Sequence, residues 1–119
     1  MGRAKVVTVL SQKGGAGKST LTMQLAGGLV RKGLRVVVID LDPQETALRW
    51  SHAAPEGTPF PATVIQLGTA VDGLGACLRK IVREGGIVLL DCPPSIEHPA
   101  TVAALQEADV ALVPVVPSP

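Results

Sequence analysis

Three short runs of apolar, largely β-branched residues punctuate the chain: Val6-Val7-Thr8-Val9-Leu10, Val36-Val37-Val38-Ile39 and Ile87-Val88-Leu89-Leu90. Such near-continuous runs predict strands covered on both faces rather than strands with one wet side. A fourth run, Val110 to Val116, has the same character but contains Pro114, which is expected to mark its end. A weaker fifth candidate is Thr63-Val64-Ile65-Gln66-Leu67.

Between these runs the apolar spacing changes. Leu21, Leu25 and Leu29 recur every fourth residue, Arg31 and Lys32 occupy the last turn, and Gly33 suits a left-handed helix end. This predicts a helix from about Lys18 to Lys32. Further helices are predicted over Gln44 to His52, Val71 to Glu84 (ending at Gly85-Gly86) and Pro99 to Glu107. The segment from Ala53 to Pro61 carries Pro55, Pro59 and Pro61 and reads as a loop. Alternating strands and helices predict an α/β fold: a parallel sheet of about five strands with helices on both faces, wound by right-handed crossovers. In such sheets ligands bind beyond the carboxyl ends of the strands.

Length and composition fit that picture. At 119 residues and 46% apolar content, residues 1–119 suit one domain with one sheet between two helical layers. The net charge of +1 exerts no global pull towards nucleic acid or an acidic membrane. No apolar run approaches the ~18 residues of a membrane span. Cys77 and Cys92 lack CxxC spacing, which argues against a zinc site or a disulfide framework and favours a reducing, cytoplasmic setting. Gly2 follows Met1, but Val6 stands where a myristoylation signal needs Ser or Thr.

The chemistry is concentrated at the predicted strand ends. After the first strand comes Lys13-Gly14-Gly15-Ala16-Gly17-Lys18-Ser19-Thr20. Gly14, Gly15 and Gly17 leave room for backbone N–H groups to converge on phosphate oxygens. The helix that follows turns its unpaired N–H groups and its dipole towards the same anion. In a loop of this kind Lys18 neutralises the β and γ phosphates and the Ser19 hydroxyl ligates Mg²⁺. With glycine near 7% of residues, this register arises by chance on the order of once in 10⁵ chains of this length.

After the second strand comes Asp40-Leu41-Asp42-Pro43-Gln44. Side chains alternate along a strand, so Asp40 and Asp42 point the same way. Two carboxylates there can hold metal-bound water and a nucleophilic water. Asp42 before Pro43 also suits a helix cap, a role compatible with catalysis. Four apolar residues then lead into Asp91-Cys92-Pro93-Pro94-Ser95, the form of a strand whose terminal carboxylate binds Mg²⁺ directly or through water.

Gln12 occupies the first glycine position of the common phosphate-loop pattern, and a second lysine, Lys13, appears in the loop. The loop thus resembles the deviant Walker A motif of the ParA/MinD group of P-loop ATPases. Asp40 to Gln44 is similar to that group's switch I, and Asp91-Cys92-Pro93-Pro94 to its switch II. The resemblance runs from Lys5 to Pro119. It implies an ATP-hydrolysing, Mg²⁺-dependent dimerisation switch of the plasmid or chromosome partitioning type. It implies that Lys13 reaches the nucleotide of a partner subunit, that Lys18 and Asp42 act in catalysis, and that Ser19, Asp40 and Asp91 serve the metal. Residues Gly14 to Thr20 would cradle ATP.

The implied partners are a second copy of the chain, a ParB-like protein and nonspecific DNA. The basic DNA-binding surface of full-length members is not evident here, and no membrane partner is implied. Members of the group continue well beyond the length of this chain, so the chain is expected to be its N-terminal part. Three rival readings stay open at this point: a noncatalytic nucleotide- or protein-binding fragment, a MinD-like membrane-cycling ATPase, and a metabolic amide or cyclo-ligase. Cys92 reads as a small apolar filler, Arg79, Lys80 and Arg83 as a solvated face, Trp50 and Phe60 as packing beside the proline loop, and His52 and His98 as having no partner at ligand spacing.

Overall fold

The computed structural model describes residues 2–11, 18–42, 49, 52, 60–67 and 71–114. Five strands form one sheet: β1 (Lys5–Val9), β2 (Val36–Asp40), β3 (Thr63–Gln66), β4 (Ile87–Asp91) and β5 (Val110–Leu112). Their order across the sheet is β3-β2-β4-β1-β5, and every neighbouring pair is parallel. The helices are α1 (Lys18–Arg31), α2 (Val71–Ile81), which runs on into a 3-10 turn at Val82–Glu84, and α3 (Pro99–Glu107). The predicted α/β architecture is the one observed.

Parity along the strands sorts the two cores. Val37 and Ile39 of β2, Val88 and Leu90 of β4, and Val6 of β1 pack with Leu74 and Leu78 of α2 and Ala100 and Ala104 of α3. The intervening residues Val36, Val38 and Leu89 pack on the opposite side with Met23 and Ala26 of α1. All five residues of β2 are buried, which is why this run has no polar alternation.

The crossovers locate the functional end. From β1 the chain passes through α1 on one face and reaches β2, beyond β4; from β4 it passes through α3 on the other face and reaches β5, beyond β1. Neighbouring strands β1 and β4 therefore send their connections to opposite faces. The gap between their carboxyl ends is the topological switch point, where α/β sheets bind ligands.

Helix ends follow the local chemistry. Gly33, with φ of 90°, closes α1: its N–H reaches the Val30 carbonyl at 2.9 Å, and the Leu34 N–H reaches Leu29 at 3.2 Å. This paired pattern needs a left-handed residue, which glycine adopts without a Cβ penalty. The segment predicted as helix from Val71 to Glu84 tightens to 3-10 over its last three residues before Gly85. At α3 the His98 Nδ1 accepts the Ala100 N–H at 3.0 Å, so His98 is a helix cap with Pro99 beside it.

Two expectations are adjusted. The strand predicted from Val110 stops at Leu112, before Pro114, because β1, its neighbour among the described residues, ends at the matching register position, Val9. Of the helix predicted over Gln44 to His52, Arg49 and His52 are helical. The rest of that helix, Trp50, most of the proline loop, and Val115 and Val116 lie outside the described residues. Arg79, Lys80 and Arg83 are exposed, as a solvated face requires, and Phe60 packs at the edge of the α1-side core.

Candidate nucleotide and metal site

Strand register brings the carboxylates together. Asp40 and Asp91 are direct partners across β2 and β4, and Val9 is the partner of Asp91 across β4 and β1. By the parity that places Val38 and Leu89 beneath α1, Asp40 and Asp91 also point to the α1 side. The first residue of α1 is Lys18, so the helix delivers its N-terminal side chains onto the same row.

The result is a buried cluster of charges. Asp91 is fully buried and Lys18 is 5% exposed. The Lys18 Nζ donates to Asp91 Oδ1 and lies 3.9 Å from Asp42 Oδ2. The Ser19 Oγ donates to the other Asp91 oxygen, Oδ2, at 2.9 Å, and accepts from Lys18 Nζ at 3.3 Å. Asp40 Oδ1 accepts the Asp42 backbone N–H at 3.0 Å, a side-chain turn that fixes the chain as it leaves β2. The Lys18 carbonyl is pinned from within α1 by the Thr22 hydroxyl at 2.9 Å. Thr20 is exposed on the first turn.

Burial sets the electrostatics. It raises the Asp91 carboxyl above its ordinary range; Lys18, through charge and hydrogen bonding, and Ser19 act against that rise. Burial likewise pushes the adjacent Cys92 thiol up to about 12, so it is a neutral filler at physiological pH. The turn after β4 is stitched locally: Ser95 N–H reaches the Pro93 carbonyl at 2.8 Å, and Thr101 Oγ1 donates to the Ser95 carbonyl at 2.7 Å. These bonds tie the turn after Asp91 to the first turn of α3.

The structure thus brings together Lys18, Ser19, Asp40, Asp42 and Asp91. Lys13, Gly14, Gly15, Ala16 and Gly17 lie outside the described residues. Two side chains have roles that the sequence reading does not assign, the first being a helix cap. His98 is one, and the signal for it was Pro99 at the first helical position. Gln66 is the other: it is the register partner of Asp40 on β3, and its Oε1 is buried with no hydrogen-bond partner among the described residues. Its signal was a polar residue ending a strand next to the carboxylate row.

The donor set suits a hard, oxygen-seeking cation. A hydroxyl and carboxylates are the ligands Mg²⁺ takes, usually one or two from protein with the rest from water and phosphate. Among the described residues no group of three or more His, Cys, Asp or Glu forms a self-sufficient metal cage. No helix among the described residues is long and apolar enough to cross a membrane.

Comparison with known proteins bears on the family and the fold. The family described as the CobQ/CobB/MinD/ParA nucleotide binding domain matches residues 7–116. The chromosome-partitioning ATPase Soj of Thermus thermophilus is 38% identical over 95% of this chain and 56% of its own length. The maintenance of carboxysome distribution protein A of Gloeobacter kilaueensis is 35% identical over 97% of this chain and 50% of its own. The chain therefore spans about half the length of these curated relatives. In fold it resembles cobyrinic acid a,c-diamide synthase from Mycobacterium smegmatis with bound ADP and magnesium. That likeness has a TM-score of 0.81 at 24% identity and covers 94% of this chain and 60% of the other. By the extent of the family match and the identity to Soj, the chain belongs to the CobQ/CobB/MinD/ParA nucleotide-binding domain family.

Proposed function

We propose that the described residues belong to one nucleotide-binding domain that binds Mg-ATP and hydrolyses it as a partition-type dimerisation switch. The observation that carries this reading is the convergence of Lys18, Ser19, Asp42 and Asp91 at the β1/β4 switch point. The sequence relatives named for partitioning and carboxysome distribution support it over a membrane-cycling role or a metabolic ligase.

In this reading the N-terminus of α1 meets the polyphosphate with its free N–H groups, and Lys18 adds a full positive charge at the β and γ phosphates. Ser19 and Asp91 would hold Mg²⁺, which when bound offsets phosphate charge during transfer. Asp42 orients the attacking water or accepts its proton, and Asp40 holds Asp42 in place through the backbone bond of 3.0 Å. Lys13 reaches across to the nucleotide of a second copy, and residues Gly14 to Gly17 complete the cradle with Thr20 beside them. The partners of the switch are a second copy, a ParB-like protein and nonspecific DNA.

Phosphate release and sedimentation with ATP and Mg²⁺ test this together. Wild type should turn over slowly and sediment as a dimer with ATP. Asp42→Asn should keep nucleotide binding but lose at least about a hundredfold in turnover, the usual scale for a general base. Binding without release in wild type would replace the hydrolytic switch with a nucleotide-binding module.

A further inference from the structure

In the cluster described above, both oxygens of Asp91 are already taken, one by Lys18 and the other by Ser19. These are the same groups that the nucleotide reading assigns to the metal. Lys18 is not a surface lysine leaning in. Its side chain is 6% exposed, its carbonyl is tied to Thr22, and its ammonium faces Asp91 and, at 3.9 Å, Asp42.

A divalent ion bound to Asp91 would lie about 2.0–2.1 Å from a carboxylate oxygen. On Oδ1 that position overlaps the ammonium, and on Oδ2 it meets the Ser19 hydroxyl with the ammonium still held on the same carboxylate. Two cations cannot share it in a buried setting, where like charges repel far more strongly than in water. Nor can Lys18 simply withdraw. An ion taking its place would satisfy Asp91 but leave the buried Lys18 ammonium beside that ion without its main counter-charge, held close by a backbone fixed at the first turn of α1. A phosphate at that helix end offers the ammonium a new anion within reach and at the same moment frees Asp91 and Ser19.

We propose that Lys18 is the resident cation of the nucleotide-free site: it excludes divalent metal until a phosphate draws its ammonium from Asp91. The inference rests on the Mg-ATP reading and adds an order to it. Nucleotide and metal enter as one coupled event, and metal alone does not occupy the site. Lys18 thereby acts as a gate for the metal besides being a phosphate ligand. By reciprocity, the pairing with Asp91 also opposes nucleotide binding in the absence of metal.

The test uses Mn²⁺ as the metal probe, read by electron paramagnetic resonance of free Mn²⁺ without nucleotide. Wild type should bind none at the site. Lys18→Met, which keeps the stem and removes the charge, should gain one Mn²⁺ site, and Mn²⁺ should raise its melting temperature. The Lys18→Met/Asp91→Asn double variant should lose that site. A tight nucleotide-free site in wild type that Asp91→Asn removes, or a folded Lys18→Met that gains no site, would overturn the proposal.

Asp91→Asn in the wild-type background gives a second reading that does not need Lys18 replaced. With EDTA present, its affinity for a fluorescent ATP analogue should rise about tenfold, within the usual range of site-to-site coupling. An unchanged or weaker metal-free affinity would contradict the gate. Wild-type binding of the analogue with Mg²⁺ separates the two levels: if it binds and these tests fail, only the gate is wrong, whereas no binding at all removes the nucleotide reading itself.

Discussion

The two ends of the β2/β4 pair carry the same chemical device in opposite surroundings. At the amino end, Arg35 pairs with Glu84, and the two side chains are 40% and 64% exposed. At the carboxyl end, Lys18 pairs with Asp91 in near-complete burial, with Asp42 close by. Water screens the first pair, and such pairs are worth about 0–1 kcal/mol. The second pair has given up its hydration, so removing either member leaves an uncompensated charge in a dry site. A buried pair of this kind is weak evidence for stability and a strong pointer to function. The amino end is held by close packing instead: Gly86 touches the chain at Arg35, and the Ile87 N–H reaches the Arg35 carbonyl at 2.8 Å.

The largest expected effect is at the dry end. Lys18→Ala should lower stability by roughly 3–5 kcal/mol at neutral pH, measured by urea unfolding. A loss below about 1 kcal/mol would mean that the two ends are equivalent after all. Next is Gly86→Ala. A Cβ there would lie 2.2 Å from the Arg35 carbonyl oxygen, at a φ of +88° that side chains rarely adopt. The expected loss is at least about 1–3 kcal/mol, the range for local backbone strain, with the overlap adding to it. Full tolerance would show that the amino end is not held by that contact.

Cys92 reports how dry the carboxyl end is. Burial pushes its thiol from an ordinary value of 9.0 up to about 12 in the folded chain. Between those values the unfolded chain releases a proton that the folded chain keeps. This contribution to stability is intact below pH 9 and falls by at most about 1.4 kcal/mol per pH unit as pH rises towards 12. Cys92→Ala should flatten that part of the stability profile; an unchanged slope would indicate a wet site. The smallest effect belongs to Arg35→Ala or Glu84→Gln, at most about 1 kcal/mol and shrinking in salt.

Much of this was legible in the sequence, for local reasons. Apolar runs without alternation gave strands buried on both faces, and a carboxylate at the end of each of β2 and β4 followed from where the runs stop. Period-two geometry set Asp40 on the α1 side once a neighbour was known. The sheet order was not legible, because β1 pairs with β4 across some eighty residues and no local preference encodes that choice. For the same reason the Lys18–Asp91 pair, 73 residues apart, could be expected only as two ligands of a shared guest and not as partners of each other. His98 was passed over because it was weighed as a metal or catalytic group and not as a cap.

The roles proposed for Lys18, Asp42 and Asp91 all require that the carboxyl end receives a nucleotide. Calorimetric titration of ATP into the chain, with and without Mg²⁺ and beside Lys18→Ala, measures this directly. The expected result is saturable binding that strengthens with Mg²⁺ and weakens at least about a hundredfold in the variant, the scale of a lost buried charge contact. Absence of binding to the folded wild-type chain, or equal binding by wild type and a folded Lys18→Ala, would contradict it.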